Sequence, residues 1–183
     1  NSLTAFRHSA AGWSYWTELK TLPVATSWTE AKATTPVVPA GTDQISFGVS
    51  LSGNGTLITD DYAMAKVGVP PVPDPAPTGG ELTKNPGLEN GGNPPADWFL
   101  AGWGDAVVNG AVVNDTHGGS RAYSITVSGR TQGDYKLLPT EASTPAVQPG
   151  SIYNLSVCYK STTANNNITV FAHTASGWGY WTD

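Results

Sequence analysis

Residues 152–160 read IYNLSVCYK and alternate without a break. Tyr153, Leu155, Val157 and Tyr159 fall on one side, and Asn154, Ser156, Cys158 and Lys160 on the other. A period of two with one apolar face is the pattern of a half-buried strand. Residues 44–52 repeat it, with Ile45, Phe47, Val49 and Leu51 opposite Gln44, Ser46, Gly48, Ser50 and Ser52. So do residues 122–127, where Tyr123, Ile125 and Val127 oppose Ala122, Ser124 and Thr126. Each strand offers a greasy face and a small polar one, and two antiparallel sheets packed on their greasy faces make a sandwich. Turn signals such as Pro39-Ala40-Gly41, Ser52-Gly53-Asn54-Gly55 and Gln148-Pro149-Gly150 punctuate the runs. No segment carries helical periodicity, so the expectation is an all-β antiparallel sandwich.

Composition agrees and narrows the function. Charged residues make up 13% of the 183, about half the usual share for a soluble domain. The net charge of -5 leaves no basic patch for phosphates, which argues against nucleic acid as a partner. No apolar run is long enough to cross a bilayer, so membrane insertion is not expected. The one cysteine, Cys158, cannot close an internal disulfide, and no Cys/His cluster stands at metal-ligand spacing. Few Lys, Glu and Cys beside abundant Thr, Ser and Trp suit a secreted or cell-surface bacterial domain.

The chain also contains part of itself twice. Residues 3–17, LTAFRHSAAGWSYWT, and residues 168–182, ITVFAHTASGWGYWT, match at nine of fifteen positions without a gap. Between them, GVPPVPDPAPTGG at 68–80 breaks the composition as an extended, semi-rigid stretch would. The division expected is residues 1–67 as the C-terminal half of a sandwich module, 68–84 as a Pro/Gly-rich linker, and 85–183 as the N-terminal half. Three readings are open: a piece of a tandem array, a permuted single module, or one unit of a longer polymer. Half a sandwich exposes too much apolar surface to stand alone, so the two halves are expected to complete one sandwich, within or between chains. The spare copy of the repeat would then pair at an edge or in a neighbouring copy of the module.

Set in module order, the segments become NPGLEN at 85–90, HGGSRAYSITV at 117–127, VQPGSIYNLSVCYKS at 147–161 and the GWGYWT hairpin at 177–182. SWTEAKATTPVVPAGTDQISFGVSL at 27–51 and GTLITDDYAMAKV at 55–67 follow. This series resembles the jelly-roll carbohydrate-binding modules, in particular the tandem modules of secreted actinobacterial polysaccharide-active enzymes. The resemblance implies a non-catalytic module that holds a secreted protein on polysaccharide. It also implies a structural Ca²⁺ bound by Glu89 and Asp60 or Asp61, with Ser120 and the carbonyls of the 117–120 loop completing the shell. Trp28 and Trp98 match structural positions of such modules. One departure is Cys158, which stands near a position where some relatives carry an aromatic.

Seven tryptophans exceed what a core this size needs. Sugar rings present flat C–H faces on which Trp and Tyr stack while polar neighbours bond the hydroxyls. In each G-W-x-Y-W-T, Trp13 and Tyr15, or Trp178 and Tyr180, share a face, and these four are candidate ligand contacts; hairpin packing is the other use for them. Trp103, in the expected Gly-rich loop LAGWGD, is a candidate exposed platform, and Lys160 on the polar side of its strand is a candidate hydroxyl partner. Asp97, Asp105, Asp115, Asp134 and Glu141 fall in expected loops without a glycosidase motif, and His8, His117 and His173 belong to no triad spacing. No enzyme is expected. The rival to polysaccharide binding is a structural or adhesive repeat, polymerised into an extracellular fibre by strand exchange.

Overall fold

The computed structural model describes residues 2–9, 12–67, 81–164, 170–174 and 177–182, with backbone alone for 2–4, 6, 12–18, 170–174 and 177–182. Its strands are β1 (Ser2–Ser9), β2 (Gly12–Thr21), β3 (Ala25–Thr34), β4 (Thr42–Leu51), β5 (Gly55–Val67) and β6 (Trp98–Gly104). They continue with β7 (Val107–Val113), β8 (Ala122–Ser128), β9 (Gly133–Pro139), β10 (Ile152–Ser161), β11 (Val170–Thr174) and β12 (Gly177–Thr182). A single 3-10 turn, Glu141–Ser143, interrupts them among the described residues. One sheet runs β2-β1-β4-β9-β6 and the other β3-β10-β5-β8-β7, and every described strand pair is antiparallel. The protein is an all-β sandwich. No helix among the described residues is long and apolar enough to cross a membrane.

Both five-stranded sheets combine strands from the two sides of the Pro-rich stretch. β10 lies between β3 and β5, with Val157 opposite Ala31 and Leu155 opposite Met64. In the other sheet β4 meets β9 at Ser50–Lys136 and Leu51–Tyr135. Neither 1–67 nor 85–183 therefore holds either five-stranded sheet complete, and the two complement each other within one chain. Residues 68–80 of the expected linker lie outside the described residues. Its end does not: Leu82 N–H donates to Met64 C=O at 3.0 Å, and Glu81 Oε1 accepts from the Met64 and Thr83 amides.

The alternation read in the sequence is the alternation of burial. Tyr153, Leu155, Val157 and Tyr159 pack with Tyr123, Ile125 and Val127 of β8, Leu57, Tyr62 and Met64 of β5, and Ile45, Phe47, Val49 and Leu51 of β4. Trp98 closes the core from β6, its ring 4.4 Å from that of Tyr62 and its Nε1–H on Asn85 C=O at 3.0 Å. It is a core residue, as the resemblance implies. The polar face of β4 behaves differently, because Ser46 and Ser50 are buried like their apolar neighbours. Two-sided burial explains the small residues there, since Gly48 leaves no room for a Cβ against Leu137 C=O and the Leu138 side chain. Among the described residues the Ser46 hydroxyl has no partner.

The duplicated segment forms the same hairpin twice. In the first copy Phe6 faces Tyr15, His8 faces Trp13 and Ser9 faces Gly12. In the second, Phe171 faces Tyr180, His173 faces Trp178 and Thr174 faces Gly177. The first copy takes the place beside β4, while β11 and β12 form a separate two-stranded sheet that lies against β2.

Candidate functional site

Two clusters of chemistry-bearing side chains stand outside the core. The first surrounds Trp103. The sequence places this residue in a loop, but the structure puts it on β6, paired with Asp134 of β9. Glycine makes the strand possible: a Cβ at Gly102 would meet the Tyr135 ring, and Gly104 and Gly133 both take positive φ where the two backbones touch. Trp103 is 45% exposed. With Ser52, Arg130, Thr131, Gln132, Gly133 and Asp134 it lines an open pocket of about 240 Å³.

The walls of that pocket are fixed from below. Asp105 accepts the Thr131 and Gln132 amides at 3.0 and 3.1 Å and the Thr131 hydroxyl. These bonds, the hydroxyl first, hold its carboxyl down to about 2. Arg130 donates from its backbone to Asn54 Oδ1 and from Nε to Gly133 C=O. Asp134, expected to be a loop acid, lies instead within β9 and is buried in an ion pair with Lys136. Asp105 is read from sequence only as a loop acid, and Arg130 and Gln132 are not singled out there; the Arg-Thr-Gln-Gly turn signal before β9 is the mark that points to the latter two.

The second cluster gathers where β5 meets the turn between β7 and β8. Cys158 of β10 pairs with Asp60, and Ser156 pairs with Ala63, so two residues of β5, Asp61 and Tyr62, oppose Val157 alone. This is a β-bulge. Asp61 takes φ +46°, a conformation that Asp tolerates better than most residues. Thr59 and Tyr62 are both buried across the inserted pair, and Asp60 and Asp61 both meet the 117–120 turn. Asp60, fully buried, accepts the amides of His117 at 2.9 Å, Gly118 at 3.1 Å and Asp61 at 2.8 Å. Burial nevertheless wins over these bonds and raises its pKa.

Glu89 holds the other side of the turn, accepting the Ser120 hydroxyl at 2.7 Å and the Ser120 and Arg121 amides at 2.9 and 3.1 Å. The hydroxyl leads the effects that lower its pKa. Arg121 spends its guanidinium on the carbonyls of Glu89, Gly91 and Gly92 rather than on a carboxylate. The glycines are required: a Cβ at Gly118 would stand 2.7 Å from Asp61 Oδ2, and one at Gly119 would enter the Glu89 carboxylate. The four residues expected to bind metal, Glu89, Asp60, Asp61 and Ser120, are thus brought to one turn.

No protein-family model matches the chain, and no curated protein or solved structure matches it significantly.

On the flank of the second cluster His117 Nδ1 lies 2.6 Å from Asp61 Oδ2. Asp61, His117 and Cys158 each place one ligand atom within 4.8 Å of the others. Chain spacing hid this group, since the three come from different strands and a turn. Burial, then Asp61, Glu30 and Asp60, push the Cys158 thiol up to about 11. Beside it, Trp28 Nε1–H donates to Asp115 at 3.3 Å, Lys160 pairs with Asp115 at 2.6 Å, and the Lys160 ammonium sits 5.7 Å from the centre of the Trp28 ring. Lys160, expected as a sugar contact, is held in this network, and Trp28 serves β3 at the sheet edge. The side chains of Trp13, Tyr15, Trp178 and Tyr180 lie outside the described residues.

Proposed function

We propose that this sandwich is a non-catalytic carbohydrate-binding module of a secreted protein. The observation that carries the reading is Trp103, exposed at the rim of a pocket whose other walls are Arg130, Gln132, Asp134, Ser52 and Thr131. A flat apolar ring with several donors and acceptors around it suits a sugar, whose C–H face stacks while its hydroxyls are bonded. The ordered motif series resembling the jelly-roll modules supports the same reading. Affinity electrophoresis against a panel of polysaccharides tests it. Covering about 60 Å² of ring at about 25 cal/mol per Å² gives about 1.5 kcal/mol, roughly tenfold in Kd. The wild-type protein is expected to be retarded in at least one gel and Trp103→Ala to migrate freely. Unaltered wild-type mobility in every gel rejects the reading.

The donors at the 117–120 turn fit the structural Ca²⁺ that the resemblance implies. Glu89, Asp60, Asp61 and Ser120 supply hard oxygens, and Gly118 and Gly119 let the turn come close to the Asp61 and Glu89 carboxylates. Such an ion would fasten the start of the 85–164 segment to β5.

A second reading, an extracellular fibre built by strand exchange, has its own observation. Because β11–β12 repeats the β1–β2 hairpin in sequence and in register, it can take the place beside β4 in another copy of the chain. Sedimentation velocity over a range of concentrations is expected to show self-association under this reading, lost when residues 165–183 are removed. A chain that stays monomeric throughout excludes it.

A further inference from the structure

We propose that Asp61, His117 and Cys158 form a binding site for a thiophilic divalent cation of the zinc class. They present one carboxylate oxygen, one imidazole nitrogen and one sulfur within 4.8 Å of one another. That mixture of donors suits zinc, which takes Cys, His and Asp in four-coordinate sites, and it does not suit calcium, which takes oxygens alone. Tetrahedral zinc sets its ligand atoms roughly 3.5 Å apart. The group reaches that spacing by drawing the sulfur inward and opening the 2.6 Å contact between His117 Nδ1 and Asp61 Oδ2.

The donors are supported from outside the group. Asp60 takes the His117 and Gly118 amides and so fixes the backbone from which the imidazole projects. Trp28 packs edge-on against the imidazole, ring centres 5.9 Å apart. Partners of this kind orient metal ligands and contribute to affinity. The surroundings are also anionic, because Cys158 has Glu30 as its neighbour on β3 and Asp60 as its neighbour on β5. Cys158 is buried, whereas the His117 and Asp61 side chains are 45% and 38% exposed, so an ion reaches the sulfur past those two. Three protein ligands leave a fourth position for water or an incoming group. Binding releases the thiol proton to solvent, and the imidazole keeps its hydrogen on Nε2 while Nδ1 ligates.

This proposal is independent of sugar binding and shares only Asp61 with the calcium reading, His117 and Cys158 being its own donors. The test is a set of thermal melts of the full chain with Zn²⁺ or Ca²⁺ alone, together with absorption spectra of the Co²⁺ form. Zn²⁺ is expected to raise Tm, and Co²⁺ to give a thiolate-to-metal charge-transfer band. Cys158→Ser should abolish the band and weaken Zn²⁺ at least as much as the roughly 100-fold that loss of an outer partner can cost. His117→Gln, at an exposed side chain, should weaken Zn²⁺ with the fold intact. Glu89→Gln should leave the Zn²⁺ response in place and remove only a response to Ca²⁺. No rise with Zn²⁺, or a rise unchanged in Cys158→Ser, overturns the site. Absence of a Ca²⁺ response in the wild-type chain counts against the calcium reading alone.

Discussion

Asp60→Ala is expected to cost about 3 kcal/mol or more of unfolding free energy, a large part of the stability of a domain this size. The carboxylate is fully buried and accepts three backbone amides, two of them from the turn between β7 and β8. Alanine leaves those donors without their acceptor, and each buried unmatched donor costs about 1 kcal/mol or more. The loss falls on the link between β5 and the 117–120 turn, so it should also disturb Asp61, His117 and Glu89. Asp60→Asn is expected to recover part of it. Its one amide oxygen can accept, but its NH₂ group turns a donor toward donors. Urea unfolding followed by tryptophan fluorescence checks both, with a lowered midpoint at unchanged slope as the expected signature. An alanine variant within about 0.5 kcal/mol of wild type would show that the turn is held by other means.

Trp98→Ala is expected to cost about 3–5 kcal/mol, the range for removing a large aromatic from a core. Trp98 is 3% exposed, tilts against Tyr62 at 4.4 Å and donates to Asn85 C=O. It therefore joins the loop that opens the 85–164 segment to the middle of β5. Trp98→Phe keeps most of the packing and loses only the donor, so it should cost nearer 1–2 kcal/mol. Thermal or urea melts of the two variants separate packing from hydrogen bonding. Equal losses would mean that the bond to Asn85, and not the ring, carries the effect.

How much of this was legible in advance depends on which neighbours a residue needed. The strands at 44–52, 122–127 and 152–160 could be read because alternation is written within one strand, and the burial of Ile45, Tyr123 and Leu155 follows it. Cross-strand relations could not be read. Asp60 and Asp61 share one turn because of a bulge, and a bulge is a property of the register between β5 and β10. Asp134 looked like loop decoration because the strand that buries it was not recognised behind Gly133. Trp103 was expected to be exposed and is, but on a strand, since Gly102 and Gly104 mark close approach to β9 as readily as they mark a loop. The polar face of β4 reads as the small polar side of its strand, yet Ser46 and Ser50 are buried, because small side chains suit a covered sheet as well as a bare one. The repeat was visible as a repeat, whereas its two fates depend on β4.

The position of β10 has a consequence for how the chain is made. Thr34 and Asn154 meet across β3 and β10, where their side chains form a hydrogen bond at 2.8 Å across 120 residues of intervening chain. Contacts this distant in sequence require a long loop to close before they return any stability, and folding slows accordingly. During synthesis β3 and β5 emerge long before the strand that joins them, and their apolar faces must wait in solution. Nascent-chain arrest before residue 150 should therefore yield protease-sensitive chains, and release past β10 should yield the protected fold in one step. The order of strands along the ribosome, and not only their final places, sets when this protein first becomes stable.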